Sequence, residues 1–258
     1  MSVPAPVLFI GHGSPMNALP GGAMAPAWAD IGRSVGRPSA VLVISAHWET
    51  DGVAVTAMPR PRTIHDFRGF PQALFDMTYP APGSPELAAR VADLLTPTPV
   101  RADLDWGLDH GAWSVLAHLL PEADIPVVQL SLDRRLDLSA HAALARRLDP
   151  LRDEGVLIIG SGDTVHNLRR FDPALPSGGF DWAVRFNNHI KDRVAAADLD
   201  ALINYRAHPD AALAAPDFEH YAPLVYAAAL RRPSDRVEVL TDEIQYGSIS
   251  MTSFAFSS

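Results

Sequence analysis

Gly155-Val156-Leu157-Ile158-Ile159-Gly160-Ser161-Gly162-Asp163-Thr164-Val165-His166 is a short apolar run, a turn of small residues and then a histidine. The same design occurs twice more, in Pro6-Val7-Leu8-Phe9-Ile10 leading to His12 and in Val41-Leu42-Val43-Ile44 leading to His47. Unbroken apolar runs of this length, bounded by Gly, Pro or Ser, read as strands buried on both faces. In an open α/β sheet, ligand sites form at the carboxyl ends of the strands, so three histidines placed there converge although they lie far apart in the chain. A metal site is the leading expectation.

Along the rest of the chain, β-branched and apolar enrichment predicts strands near 6–10, 40–46, 53–57, 125–131, 155–160, 236–240 and 247–255. Helical patterns fall between them, at about 85–96, 112–120, 137–149, 179–197 and 220–231. This alternation predicts an α/β fold: a single layered domain over 1–258, with a largely parallel or mixed central sheet flanked by helices. The stretch Ser248-Ile249-Ser250-Met251-Thr252-Ser253-Phe254 alternates polar and apolar residues, which predicts a face turned to solvent or a sheet edge. The helix at 179–197 shows ordinary amphipathic spacing and is assigned no function. Two proline-bearing loops, 58–84 and 97–111, are long for plain connections, which marks them as candidate functional loops.

Composition narrows the chemistry. The 258 residues include no cysteine, so disulfides and thiolate metal sites are excluded and any metal centre must use His, Asp and Glu. Those donors suit Fe(II), Zn or Mn. The net charge is -9, and the 21 Lys and Arg form no stripe, which argues against a nucleic-acid partner. No apolar run approaches the ~20 residues that a bilayer requires, and no basic segment precedes an apolar stretch at the start. The expectation is a cytoplasmic protein with no membrane partner.

Ten histidines are present, and their contexts separate them. His118, His141, His189 and His208 sit in helix-like or polar patterns and read as structural. His12 lies in Gly11-His12-Gly13-Ser14-Pro15, a turn that matches neither a P-loop nor a dinucleotide fingerprint, and that lacks the arginine a histidine phosphatase carries where Gly11 stands. A purely structural turn stays open there, as does a buried strand-end histidine for His47 and His166. His110, in Leu108-Asp109-His110-Gly111-Ala112-Trp113, opens a predicted helix, where the positive dipole end favours a neutral imidazole suited to act as base or hydrogen-bond donor. Glu219 and His220 offer a carboxylate and an imidazole side by side. No pair has His-Glu-x-x-His spacing, so the metal expectation rests on the repeated strand-to-histidine design.

Taken in order, Gly11-His12-Gly13-Ser14-Pro15, Ser45-Ala46-His47-Trp48, His65-Asp66-Phe67-Arg68-Gly69-Phe70-Pro71, Leu108 to Trp113, Gly160-Ser161-Gly162 through His166-Asn167-Leu168, Glu219-His220 and Gly247 to Met251 span nearly the whole chain. In these blocks the sequence resembles the class III extradiol ring-cleavage dioxygenases, in the branch of bacterial and plant 4,5-DOPA dioxygenases. The resemblance implies a non-haem Fe(II) held by His12, His47 and a third ligand, for which the branch favours His220 over Glu219. It also implies that zinc can occupy a site of His12, His47, His166 and His220. By position His166 matches the acid/base histidine, and His110 matches the partner that orients or donates to oxygen or substrate. His65 and Asp66 become candidates for the substrate's far end, and the implied partners are a small catechol and O2. None of Arg68, Arg169 and Arg185 is singled out as a carboxylate binder, and oligomeric state is not legible. Two rival readings use the same histidines: a zinc hydrolase that activates water, and a metal-binding protein without catalysis.

Overall fold

The computed structural model describes residues 3–258. Its strands are β1 (Val7–Gly11), β2 (Ala40–Thr50), β3 (Val53–Thr56), β4 (Val100–Asp103), β5 (Val127–Asp133), β6 (Val156–Gly162), β7 (Arg236–Thr241), β8 (Ile244–Gln245), β9 (Ile249–Ser250) and β10 (Ser253–Ser257). Eight of them form one sheet in the order β4-β3-β5-β2-β6-β1-β10-β7, while β8 and β9 pair as a separate ribbon. The four central strands β5, β2, β6 and β1 are mutually parallel. Antiparallel joins at β3 with β5 and at β10 with β1 make the whole sheet mixed.

Both faces of this sheet are covered, which is why the central strands read as continuous apolar runs. Val7, Phe9, Leu42, Ile44 and Ile158 face a core roofed by helices Pro85–Leu95, Leu138–Arg147, Asp181–Ala195 and Ala222–Ala229. The alternate residues Leu8, Ile10, Val41, Val43, Leu157 and Ile159 face a second core under helices Ala25–Val35 and His110–Leu119. Each such side chain, fully buried, contributes roughly 1.5–3 kcal/mol of transfer free energy. Helix starts follow their caps: the side chains of Ser84, Asp109 and Asp137 accept the amides of Leu87, Ala112 and Ala140.

Besides short helical turns such as Gln72–Phe75 and Leu199–Ile203, three larger features differ from the sequence expectations. Helix Ala25–Val35 has no counterpart among the expected helices, because its buried large apolar positions are only Trp28 and Ile31. Strand β4 lies inside the stretch expected to be loop; it is a mostly exposed sheet edge whose Val-Arg-Ala-Asp sequence has no apolar periodicity. The expected strand over 247–255 is divided between β9 and β10, and β10 is an interior strand between β1 and β7 with no solvent face. The alternating hydroxyls are buried and satisfied internally: Ser248 donates to Asn167 O, Ser250 to Asn187 Oδ1, and Thr252 accepts from Asn187 Nδ2. The exposed edge is β7 instead. Among the described residues no helix is long and apolar enough to cross a membrane.

Candidate active site

Strands β2, β6 and β1 are adjacent, so the segments leaving their carboxyl ends meet at one edge of the sheet. His12 follows the last residue of β1, and His166 follows β6 after a short turn. His47 lies within β2, where pairing with β5 slips: Ile44 stands opposite Leu130 but Glu49 opposite Leu132, so five steps along β2 match two along β5. The extra residues bulge from the ladder and re-aim His47.

Two further histidines reach this edge from elsewhere in the chain. His110 begins helix His110–Leu119, and its neighbour Gly111 is required because a Cβ there would crowd Ser45 Oγ and the His47 ring. The cap residue Asp109 is fully buried and fixed by Ser45 Oγ at 2.7 Å and Gln129 Nε2 at 2.7 Å. His220 arrives in the turn before helix Ala222–Ala229, where its carbonyl accepts the Asp163 amide at 2.8 Å. Gly162 makes that approach possible, since a Cβ would overlap the same carbonyl oxygen.

The ring atoms face one another closely. His12 Nε2 and His47 Nε2 are 3.0 Å apart, and the His47 and His110 ring centres are 3.9 Å apart. His166 stacks on His220 at 3.5 Å with the planes 6° from parallel. Potential ligand atoms gather in two overlapping groups, His12, His47 and His110, and His12, Asp163 and His220. Ser161 Oγ donates to Gly111 O at 2.5 Å, which leaves its lone pair to accept from His12 Nδ1 at 3.0 Å. That contact holds the proton on Nδ1 and frees Nε2 as a donor atom to a metal. Glu219 Oε1 lies 3.3 Å from His220 Nδ1, the carboxylate–histidine arrangement that orients metal-binding imidazoles. Glu219 therefore stands behind His220, outside the cavity lining.

Electrostatics favours neutral imidazoles. Burial, reinforced by neighbouring histidines, holds His12, His47 and His220 well below the ordinary imidazole range. Burial and the nearby His110 lower His166 to about 4. Burial alone would raise Asp66, but the close approach of His110 and His47 outweighs it and keeps this carboxyl below its usual range. Its Oδ2 is 3.0 Å from His110 Nδ1, bent out of hydrogen-bond alignment, and 3.5 Å from His47 Nδ1. Asp163 is pushed well up by burial; its Oδ1 accepts the Gly13 amide, while Oδ2 has no partner and stands 3.9 Å from His12 Nε2. His220 Nε2 is also buried without a partner. Orphaned buried polar atoms are rare in folded proteins, and a nest of neutral imidazole nitrogens with one carboxyl oxygen fits a borderline divalent cation.

The five histidines and Asp66 floor a cavity of about 580 Å³. Its walls are Met16, Phe67, Phe70, Leu168, Phe171, Pro173, Tyr246 and Ile249, and no lysine or arginine lines it. An apolar pocket with a few convergent polar groups on its floor suits a small aromatic ligand. His12, His47, His110, His166, His220 and Asp66 all line it, as a shared site requires. His65 does not: its Nε2 contacts Met77 O at 3.0 Å, and its ring packs on Phe67, Phe75 and Trp113. His118 contacts the carbonyls of Asn17 and Ala18, and His141 the hydroxyl of Tyr226, away from this floor.

Residues 7–257 match the family described as the catalytic LigB subunit of aromatic ring-opening dioxygenase. The chain belongs to this family. It is 45% identical over 252 residues to a protein of Escherichia coli (strain K12) named 4,5-DOPA dioxygenase extradiol, covering 96% of this chain and 93% of that one. A protein of the same name from Beta vulgaris is 40% identical over 258 residues, covering 97% and 96%. The crystal structure of an uncharacterized protein from Escherichia coli K12 superposes with a TM-score of 0.85 at 39% identity, covering 97% of this chain and 99% of that one.

The enzyme is therefore an aromatic ring-opening dioxygenase acting on a small aromatic substrate with O2. Two residues of its site escape sequence reading. Asp163 reads only as part of the run leading to His166, although its place directly after the strand-ending Gly162 is the signal that could have found it. Ser161 reads only as part of a small-residue turn, and no local pattern reveals that its hydroxyl orients His12.

Proposed function

We propose that this dioxygenase opens the ring of a DOPA-like catechol by extradiol cleavage, using a non-haem Fe(II) held by His12, His47 and His220, with Asp163 as the carboxyl neighbour. The observation that carries this reading is the pair of facing Nε2 atoms of His12 and His47, 3.0 Å apart, beside the unpartnered Nε2 of His220. Zinc suits the same donors, with His166 within the set, but iron supplies the redox chemistry that joins catechol and dioxygen.

The chain's own groups do the rest. Phe67, Phe70 and Ile249 shape an apolar slot that orients the aromatic ring and excludes water. His110 presents Nε2 to the cavity while Asp66 faces its Nδ1, so a substrate hydroxyl proton arriving at Nε2 is stabilised by the ionised carboxylate. Asp66 thus acts as a positioning residue behind His110 and His47, instead of a contact for the substrate's far end. His166 is kept neutral by burial and has no side-chain hydrogen-bond partner, which leaves it free to hold and return a proton at the substrate's oxygen. Both atoms of O2 end in the product, so the protons only need moving, not replacing.

Anaerobic loading with Fe(II), followed by a catechol and oxygen, is expected to give oxygen uptake and a yellow ring-opened product. No uptake across a panel of substituted catechols would refute the proposal.

A further inference from the structure

Tyr246 stands where two hollows meet. With Ser14 and Met16 it lines the catalytic cavity of about 580 Å³, and the same three residues line a neighbouring chamber of about 430 Å³. The one charged side chain of that chamber is Glu243, whose Oε1 accepts from Gln245 Nε2 at 3.1 Å. Neither space is lined by a lysine or arginine.

Tyr246 is also held in an unusual backbone conformation. Its φ is 53°, in the left-handed region that bulky side chains rarely occupy. The Asp172 amide donates to its carbonyl at 3.0 Å, and its ring stacks on Phe171 with centroids 4.4 Å apart. Such a conformation persists only where the surroundings enforce it, and it is concentrated at ligand clamps and active sites. Here it holds Tyr246 at the border that the two hollows share.

We infer that Tyr246 determines substrate specificity, by limiting the length of ring substituent that the catalytic cavity admits. With the ring in place, a substituent ends at the apolar mouth formed with Phe171. Without it, the two spaces join, and a longer substituent reaches Glu243, which favours one ending in an ammonium group over one ending in a carboxylate. The inference rests on the catechol reading of the site.

The test uses wild type, Tyr246→Ala, Tyr246→Gly and Tyr246→Phe with 4-methylcatechol and with catechols carrying aminobutyl or carboxybutyl chains. Both kcat/KM and anaerobic dissociation constants by calorimetry are measured. Tyr246→Ala and Tyr246→Gly should raise the aminobutyl-to-methyl preference about tenfold or more, the range that a few methylenes command in a pocket. The carboxybutyl compound should gain less, and adding Glu243→Gln should erase that difference. Tyr246→Phe should keep the wild-type preference. Glycine is at ease at positive φ, so Tyr246→Gly folds even where alanine strains the turn. An unchanged preference in both small-residue variants, with 4-methylcatechol still opened, overturns the inference. If wild type opens no catechol, the functional reading fails, and the dissociation constants still decide the role of Tyr246.

Discussion

Removing the Ser161 hydroxyl tests whether this residue prepares His12 for metal. In Ser161→Ala, Gly111 O loses a 2.5 Å donor and His12 Nδ1 loses a 3.0 Å acceptor, both in a fully buried setting. A buried polar group left unpaired costs about 1–3 kcal/mol. For a chain of 258 residues a loss near 2 kcal/mol lowers Tm by on the order of 5 °C. The more specific effect is on affinity, because an imidazole released from its tautomer no longer offers Nε2 reliably. Partners of this kind are worth about 10- to 100-fold in metal affinity, or roughly 1.4–2.8 kcal/mol. The assay is competition between the protein and a calibrated chelator for Fe(II) or Zn(II), run beside thermal unfolding of the metal-free protein. Ser131→Ala serves as control: its hydroxyl also makes buried hydrogen bonds, to the Ala54 amide and Thr50, and should lower Tm without weakening metal. If Ser161→Ala lost stability but kept its metal affinity within about twofold of wild type, the orienting role would be refuted, since the loss of a partner that orients a metal-binding histidine weakens affinity far more than that.

Other outcomes follow from the same geometry. His166→Ala should retain metal by elemental analysis while kcat falls about 10²- to 10⁴-fold, the usual worth of a proton-transferring group; near-normal turnover would remove His166 from the proton path. Gly162→Ala should displace the His220 carbonyl and weaken metal binding in titration with Fe(II), at a stability cost of about 1–3 kcal/mol for overpacking. Asp66→Asn should shift the acid limb of the kcat profile and lower kcat more than it raises KM, whereas a pure rise in KM would return Asp66 to substrate binding. The metal-free protein should become more stable as pH rises from about 4 to 6.5, because His166 titrates at about 4 when folded and near 6.5 when unfolded, so the unfolded chain binds the extra proton in that window. At ~1.4 kcal/mol per unit this residue alone contributes on the order of 3 kcal/mol, present above the window and lost below it, with His12, His47 and His220 acting in the same direction. Asp163, raised by burial, opposes this slope, so urea unfolding at successive pH values compares wild type with His166→Ala, and an unchanged slope in that variant would contradict the buried, neutral His166.

Much of this site was legible because the central strands are buried on both faces. That burial writes unbroken apolar runs into β1, β2 and β6, and their ends announce His12, His47 and His166 before any contact is known. His110 and His220 stand out only as a helix-opening imidazole and as an imidazole beside a carboxylate, and the resemblance adds their expected roles and the family that residues 7–257 match. The signal failed where burial and periodicity part company. Strand β4 is an exposed edge with no pattern to read, and the hydroxyls of 248–253 read as a wet face although they are buried, Ser250 and Thr252 on Asn187, Ser248 on the Asn167 carbonyl and Ser253 on that of Met251. His65 and Asp66 are neighbours in the same loop, yet one turns to the Met77 carbonyl and the other to the histidine cluster.

The α/β layering and the residue types of the centre are written in the chain, because periodicity and the lack of cysteine need no tertiary contact. Which atoms face one another depends on the folded chain: His220 rather than Glu219 at the cavity, Asp66 behind His110, Ser161 on His12 and Tyr246 beside both hollows. Those choices depend on a slipped register at His47 and on helices pressed against glycines. They are contacts between segments distant in sequence, set by packing over the whole fold, and no local stretch of sequence encodes them.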